Sequence, residues 1–216
     1  MLASRHPVLM DFVRPLDAVI PGVQGRILAV LAETTAELNL RTIARIANVS
    51  EAQVSRVLPG LVSLGLVERR EAPPSALFQL VREHIAAGPL LALSRSRDRM
   101  IEKMRQIAEG LPLEPASVVV FGSFARGDAD EESDIETLLV RPLGIDDSDE
   151  TWSSAVQQWI DQVANVSGNN VEVLEVAEPD VPARLASKRS VWQQIRRDGL
   201  VVSGSSLESF QPAARG

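Results

Sequence analysis

The feature that most constrains this chain is the stretch from Val118 to Val140, VVVFGSFARGDADEESDIETLLV. Val118 to Phe121 is a β-branched apolar run, as in a short buried strand, and it halts at Gly122-Ser123. A residue without Cβ there lets the backbone turn sharply and pass close to a ligand. After Ser123 come ten residues and then Asp134-Ile135-Glu136, at the head of a second apolar run. Strand alternation puts both carboxylates on one face and Ile135 on the other. The stretch therefore reads as strand, tight turn, short helix, strand. A hydroxyl and outward-pointing amides at the start of a helix suit phosphate oxygens, and paired carboxylates suit a divalent cation bridging them. The plainer alternative is a solvated strand face that follows the acidic loop Asp128 to Glu132.

GSFARG followed by SDIE resembles the DNA polymerase β-like nucleotidyltransferase superfamily, whose motif is Gly-Ser, a spacer of about this length, then Asp-x-Asp or Asp-x-Glu. The resemblance is closest to the minimal nucleotidyltransferase branch and spans roughly residues 113–204. It implies a nucleoside triphosphate donor, ATP, and a Mg²⁺ cofactor. It also implies metal binding by Asp134 and Glu136, with phosphate bound by Gly122, Ser123 and Arg126. Glu136 stands where Asp is commoner. By the same resemblance the third carboxylate is Glu172, in Val171-Glu172-Val173, completing the metal site or accepting a hydroxyl proton. Strand alternation turns Glu175 to the opposite face. The alternative for Glu172 is an ordinary exposed strand residue.

A second region precedes this one. Apolar positions Ile27, Leu28, Val30 and Leu31 predict a helix over 22–33, and Ile43, Ala44 and Ile46 or Ala47 predict another over 41–47. Ser50 with Gln53 makes a capping box for a third helix carrying Val54, Val57, Leu58, Leu61 and Val62, and Gly65 closes it. Pro59 predicts a kink or an early end near residue 58, since proline removes a backbone bond at a cost of ~3 kcal/mol. Strands over 66–70 and 76–81 with a loop between them make a wing. TIARIANVSEAQVSRVL and LVSLGLVERR resemble the winged helix-turn-helix of MarR-like and ArsR-like bacterial regulators, over roughly residues 22–82. That resemblance implies DNA as a partner. Ser50, Gln53, Ser55 and Arg56 would enter the major groove, and Arg69 and Arg70 on the wing would reach phosphates or the minor groove.

Around these regions the reading is coarser. Residues 1–20 carry Val8, Leu9, Phe12 and Val13 as a packing cluster, with His6 on the surface. Residues 83–110 read as a connecting helix with a break at Gly88-Pro89. Its basic run, Arg95, Arg97, Arg99, Lys103 and Arg105, is either a solvated face or a DNA contact. His84 reads as a cap or packing residue. Two prolines mark a seam at Gly110 to Pro115. Trp152 and Trp159 repeat at helical spacing and read as core. Short helices, a closing strand over 199–202 and a frayed end from Ser203 finish the chain.

A chain of 216 residues, 45% hydrophobic, is long enough for two small cores. Without cysteine, disulfides, thiolate catalysis and the usual structural zinc sites are excluded. Net charge is about +4 over residues 1–105 and −11 over 106–216, which suits a polyanion on one surface and cations with phosphates on the other. No apolar run approaches a membrane span, so a cytoplasmic protein without membrane partners is expected. The expected fold is α+β, with an N-terminal winged helix-turn-helix (1–82), a connecting helix (83–112), a polymerase-β-like nucleotidyltransferase domain with a mixed sheet (113–204) and a tail (205–216). Two functions stay open. One is a DNA-binding nucleotidyltransferase, a regulator or antitoxin that modifies a hydroxyl on a protein, such as a toxin, or on a small molecule. The other is a transcriptional regulator whose transferase domain is inactive and senses nucleotide or a partner. A homodimer is compatible with both.

Overall fold

The structure is a computed structural model that describes residues 10–210. His6, Val8 and Leu9 lie outside the described residues. The chain forms two compact units. One is Arg14–Ser96, and the other joins the N-terminal segment up to Val13 with the chain from Arg97 onward.

The first unit begins with α1 (Pro15–Val19) and α2 (Val23–Glu33), which buries Ile27, Leu28, Val30 and Leu31. A two-residue strand, β1 (Leu38–Asn39), follows, and the Asn39 side chain caps α3 (Leu40–Ile46) by accepting from the Thr42 amide at 2.8 Å. Ile43, Ala44 and Ala47 are buried, while Ile46 faces solvent. The capping box at Ser50 forms and starts α4 (Glu51–Ser63), whose Val54, Leu58 and Leu61 enter the core. Pro59 does not end this helix. Pro59 and Ser55 are both exposed, so the bond that proline cannot make is lost on the solvent side. The buried stripe holds the helix together through Ser63. Gly65 adopts a positive φ of 77° and the amides of Gly65 and Leu66 return to Val62 and Leu61, a Schellman ending. The wing is β2 (Val67–Ala72) and β3 (Ser75–Leu80), antiparallel and joined by Pro73-Pro74, and β1 adds to β3 to make the order β1-β3-β2. Sequence reading missed β1, which is too short for any period to show.

The connecting helix is two helices, α5 (Ala87–Ser94) and α6 (Ser96–Glu109), broken at Arg95 and not at Gly88-Pro89. Pro89 sits in the first turn of α5, where amides have no intrahelical acceptor to lose. The compact units divide between Ser96 and Arg97, whereas the prolines place a seam at 110–115. The reason is packing: Met100, Met104, Ile107 and Ala108 of α6 bury against Val118, Val120 and Trp159 of the C-terminal core.

In the second unit β4 (Ser117–Phe121), α7 (Gly122–Arg126), β5 (Ile135–Arg141), α8 (Glu150–Ser167), β6 (Val171–Ala177), α9 (Val181–Leu185), α10 (Ser190–Asp198) and β7 (Leu200–Gly204) follow α6. The sheet order is β6-β5-β4-β7, with β5 and β6 parallel and the other neighbours antiparallel, a mixed sheet. One face carries Val118, Val120, Ile135 and Leu139 against Trp152 and Trp159, both core as expected. The other carries Val119, Phe121, Leu138 and Val140 against Trp192 and Ile195. Order continues past Ser203, where fraying is expected to begin. Ser203 and Gly204 pair with β4, and Leu207 is buried beyond them.

Candidate nucleotide site and DNA-reading face

The strand, turn, helix and strand expected over 118–140 are β4, α7 and β5. Because β4 and β5 are antiparallel with Phe121 opposite Glu136, the turn at Gly122 lies beside the start of β5. Gly122 has φ 69°, and a Cβ there would overlap the Glu136 carboxylate. Ser123 is half-buried on the first turn of α7, and Phe124 points the other way into the core, edge to face with Phe12 at 4.9 Å between centroids.

The three predicted carboxylates stand at one end of the sheet, where β5 and β6 begin. Asp134 immediately precedes β5, Glu136 is its second residue, and Glu172 is the direct neighbour of Glu136 in the parallel β5–β6 register. Glu175 goes to the opposite face, where it accepts the Trp152 indole N–H at 2.6 Å. Thr137 takes an N–H from Trp159 at 3.2 Å and donates to the Glu172 carbonyl at 3.1 Å, fastening β6 beside β5. Partial burial, then the nearby Glu172 and Asp134 charges, push the Glu136 carboxyl above its ordinary range, and Arg126 opposes them. Like charges crowded in this way favour a cation. No three His, Asp or Glu side chains among the described residues are placed to share one metal ion. The donor set therefore fits a site of one or two carboxylates completed by substrate phosphate oxygens, which is how Mg²⁺ is usually held.

Arg126 is more committed than its sequence suggests. Its guanidinium meets Asp128 and Asp198, each at 3.1 Å. Asp198, with its side chain 8% exposed, also takes two hydrogen bonds from Arg197 at 2.8 Å. Arg197 first, then Arg126, hold the Asp198 carboxyl down to about 2 against the effect of burial. Arg97 belongs to the basic run over residues 95–105, yet it donates to the Phe124 carbonyl at 2.8 Å and to the Ala125 carbonyl, closing the end of α7. Arg105 likewise donates to the Val202 carbonyl at 3.0 Å. Two members of that run thus serve the second unit. Asn170, also missed, donates its side-chain amide to Asp134 Oδ1 at 3.0 Å. Only the strand register, which aligns position 170 with 134, reveals it.

On the helix-turn-helix unit, Ser55 and Arg56 are exposed on α4, and Arg56 makes no hydrogen bond or ion pair among the described residues. Ser50 and Gln53 are tied to each other in the capping box. Arg69 pairs with Glu71 at 2.6 Å, and Arg70 is gripped by both oxygens of Glu37. Between α4 and the wing lies a groove of about 920 Å³ bordered by Ser55, Pro59, Arg69 and Phe78. His84 accepts the Ala86 amide through Nδ1 at 3.1 Å, a local cap.

Residues 25–71 match the IclR helix-turn-helix domain, within the helix-turn-helix region expected from pattern. Residues 98–163 match the nucleotidyltransferase domain, a range that holds Gly122, Ser123, Asp134 and Glu136 but stops before Glu172. The chain is similar to a solved toxin-antitoxin with AMP-PNP at 17% identity and TM-score 0.33, over 51% of this chain and 76% of that one. It is also similar to a protein from Sulfolobus solfataricus provisionally assigned as a nucleotidyltransferase, at 24% identity and TM-score 0.28, over 50% of this chain and 82% of that one. No curated protein matches the chain. Among the described residues no helix is long and apolar enough to cross a membrane.

Proposed function

We propose that this chain, which joins a helix-turn-helix DNA-binding domain to a nucleotidyltransferase domain, transfers a nucleoside monophosphate from Mg²⁺-bound ATP to a hydroxyl of a protein or small molecule. The observation that carries the reading is the meeting of Gly122, at the turn into α7, with Glu136, while Asp134 and Glu172 stand at the same end of the sheet. In this reading the backbone at Gly122 and the Ser123 hydroxyl hold phosphate oxygens. Asp134 and Glu136 are the ligands of Mg²⁺, which when bound neutralises triphosphate charge. The acceptor oxygen attacks the α-phosphorus, its proton passes to Glu172, the bond to the β-phosphate breaks and pyrophosphate leaves. Orientation and charge neutralisation supply the rate enhancement. Arg126 contributes a positive field next to Glu136 instead of a freely mobile phosphate clamp.

DNA binding by α4 and the wing makes the chain a regulator. By resemblance to minimal nucleotidyltransferases that act as antitoxins, a hydroxyl on a toxin protein is one candidate acceptor beside a small-molecule hydroxyl. A second reading, a regulator whose transferase domain only senses nucleotide or a partner, is favoured by the engagement of Arg126 with two carboxylates. The test is calorimetric titration of ATP with and without Mg²⁺ into wild type, Asp134→Asn and Glu172→Gln, alongside mass spectrometry of co-purified partners after incubation with labelled ATP. Mg²⁺-dependent binding lost in Asp134→Asn, with labelled product lost in Glu172→Gln, supports transfer. Binding without labelled product supports the sensor. Equal affinity in wild type and Asp134→Asn with Mg²⁺ present removes the carboxylates from the site.

A further inference from the structure

We propose that Asn170 is a positioning residue for Asp134, and that Asn169 and the segment at Met10–Phe12 hold Asn170 in place, so that chain preceding the helix-turn-helix is a working part of the transferase site. The inference rests on the reading of Asp134 as a metal ligand.

Strand register supplies the first step. Val171 is the neighbour of Ile135, so Asn170 falls beside Asp134 just as Glu172 falls beside Glu136. At this end of the β5–β6 pair one carboxylate has a carboxylate for a neighbour and the other has an amide. The Asn170 carbonyl accepts the Ile135 amide at 2.9 Å and its side chain donates to Asp134 Oδ1 at 3.0 Å. One residue thus fixes both the backbone after Asp134 and one oxygen of its carboxylate. Oδ2 is left as the oxygen for a cation. A carboxylate tethered in this way enters its metal site with less orientational freedom to lose, and hydrogen-bond partners of ligands are typically worth 10- to 100-fold in metal affinity.

The second step is what holds the turn. Asn169 is 2% exposed. Its amide nitrogen donates to the Ser133 carbonyl at 3.1 Å and the Met10 carbonyl at 3.2 Å, and its oxygen accepts the Met10 amide at 3.2 Å. Two donors and an acceptor of one buried side chain are thereby used on the residue before Asp134 and on the N-terminal segment. Two residues on, the Phe12 amide donates to the Ala129 carbonyl at 3.0 Å, and the Phe12 ring packs on Phe124 of α7. The segment therefore meets the loop between α7 and Asp134 directly at Ala129, and reaches its far end at Ser133 through Asn169. An aspartate at 169 would keep the shape but lose both donors and bring a charge into a buried site.

The test is a titration of Mn²⁺ followed by electron paramagnetic resonance on the full chain, for wild type, Asp134→Asn, Asn170→Ala and Asn169→Asp, with thermal unfolding of each. Asn170→Ala, at an exposed position, should weaken Mn²⁺ binding roughly tenfold with little change in thermal stability. Its ATP affinity should return to the wild-type value at saturating Mn²⁺, a recovery that a merely structural lesion would not show. Asn169→Asp should lose Mn²⁺ affinity together with stability. Wild-type Mn²⁺ affinity in Asn170→Ala, while Asp134→Asn abolishes binding, overturns this inference and leaves the metal site standing. Mn²⁺ binding that is absent in wild type or unchanged in Asp134→Asn overturns both the site and the inference.

Discussion

The carboxylate of Glu136 fills the space in which any residue but glycine at position 122 would carry its Cβ. The two are brought together by the β4–β5 pairing, which sets Phe121 opposite Glu136 and so aims the following turn at the carboxylate. Glycine is needed for two independent reasons, the occupied space and the positive φ of 69°.

Gly122→Ala should therefore cost more than the ~1 kcal/mol of an ordinary point substitution, because backbone strain at such an angle alone is of order 1 to 3 kcal/mol. Glu136→Ala in the same chain should recover the part due to overlap but not the part due to strain. Chemical denaturation of the two single variants and the double variant measures both. Additive effects of the two substitutions would show that the contact does not exist in solution.

Glu136 should also betray its neighbours through pH. Burial, Glu172 and Asp134 raise its carboxyl above the ordinary 4.5, so the folded state binds the proton more tightly than the unfolded state does. The charged form then costs stability at all pH above the folded value, and that cost vanishes as pH falls toward the unfolded value. Glu136→Gln should be more stable than wild type at neutral pH, and the difference should close on acidification to about pH 4.5, the ordinary carboxyl value. Denaturant midpoints against pH decide it. A difference that widens on acidification would contradict the crowding.

On the helix-turn-helix unit, Arg56→Ala should weaken specific DNA binding by about 1 to 3 kcal/mol if it reads a base. Arg70 is held by Glu37, its strongest hydrogen-bond partner, which raises the guanidinium's hold on its proton. Glu37→Gln should therefore release Arg70 and strengthen binding to all sequences, with a steeper salt dependence. Fluorescence anisotropy with promoter-region DNA at two salt concentrations provides both slopes. A weaker or unchanged Glu37→Gln complex would place Arg70 away from DNA.

The division between units predicts how the chain can be cut. A fragment beginning near Gly110 lacks Met100, Met104 and Ile107, which belong to the core of the transferase unit, and should be insoluble or molten. A fragment beginning at Ser96 should be more soluble, and adding a peptide containing Met10 to Val13 should raise its melting temperature, because Phe12 is part of that core. Equal solubility of the two fragments would return the boundary to the proline-rich seam.

Much of this was legible in the sequence because it depends on short-range chemistry. Periodicity located α2, α3 and the apolar stripe of α4; Ser50 with Gln53 announced a cap that forms; and Gly65 announced the ending that follows. Pro59 misled because a proline signals a lost bond, whereas the effect of that loss depends on which side of the helix faces solvent. The proline seam at 110–115 misled for a related reason: turns record where the chain bends, and domain limits record where cores are buried.

The order of residues by itself determined that one strand would end in the Gly122-Ser123 turn and that Asp134 and Glu136 would share one face of a second strand, since a β-branched run, a glycine and a two-residue alternation suffice for that. Tertiary structure alone decided the rest. The parallel pairing of β5 with β6 put Glu172 beside Glu136 and Asn170 beside Asp134. The folding of α10 against α7 and β4 is accompanied by capture of Arg126 by Asp198 across 72 positions. Strand register and ion pairs between distant segments depend on which faces bury together, a property of the whole packed unit that no local window of sequence contains.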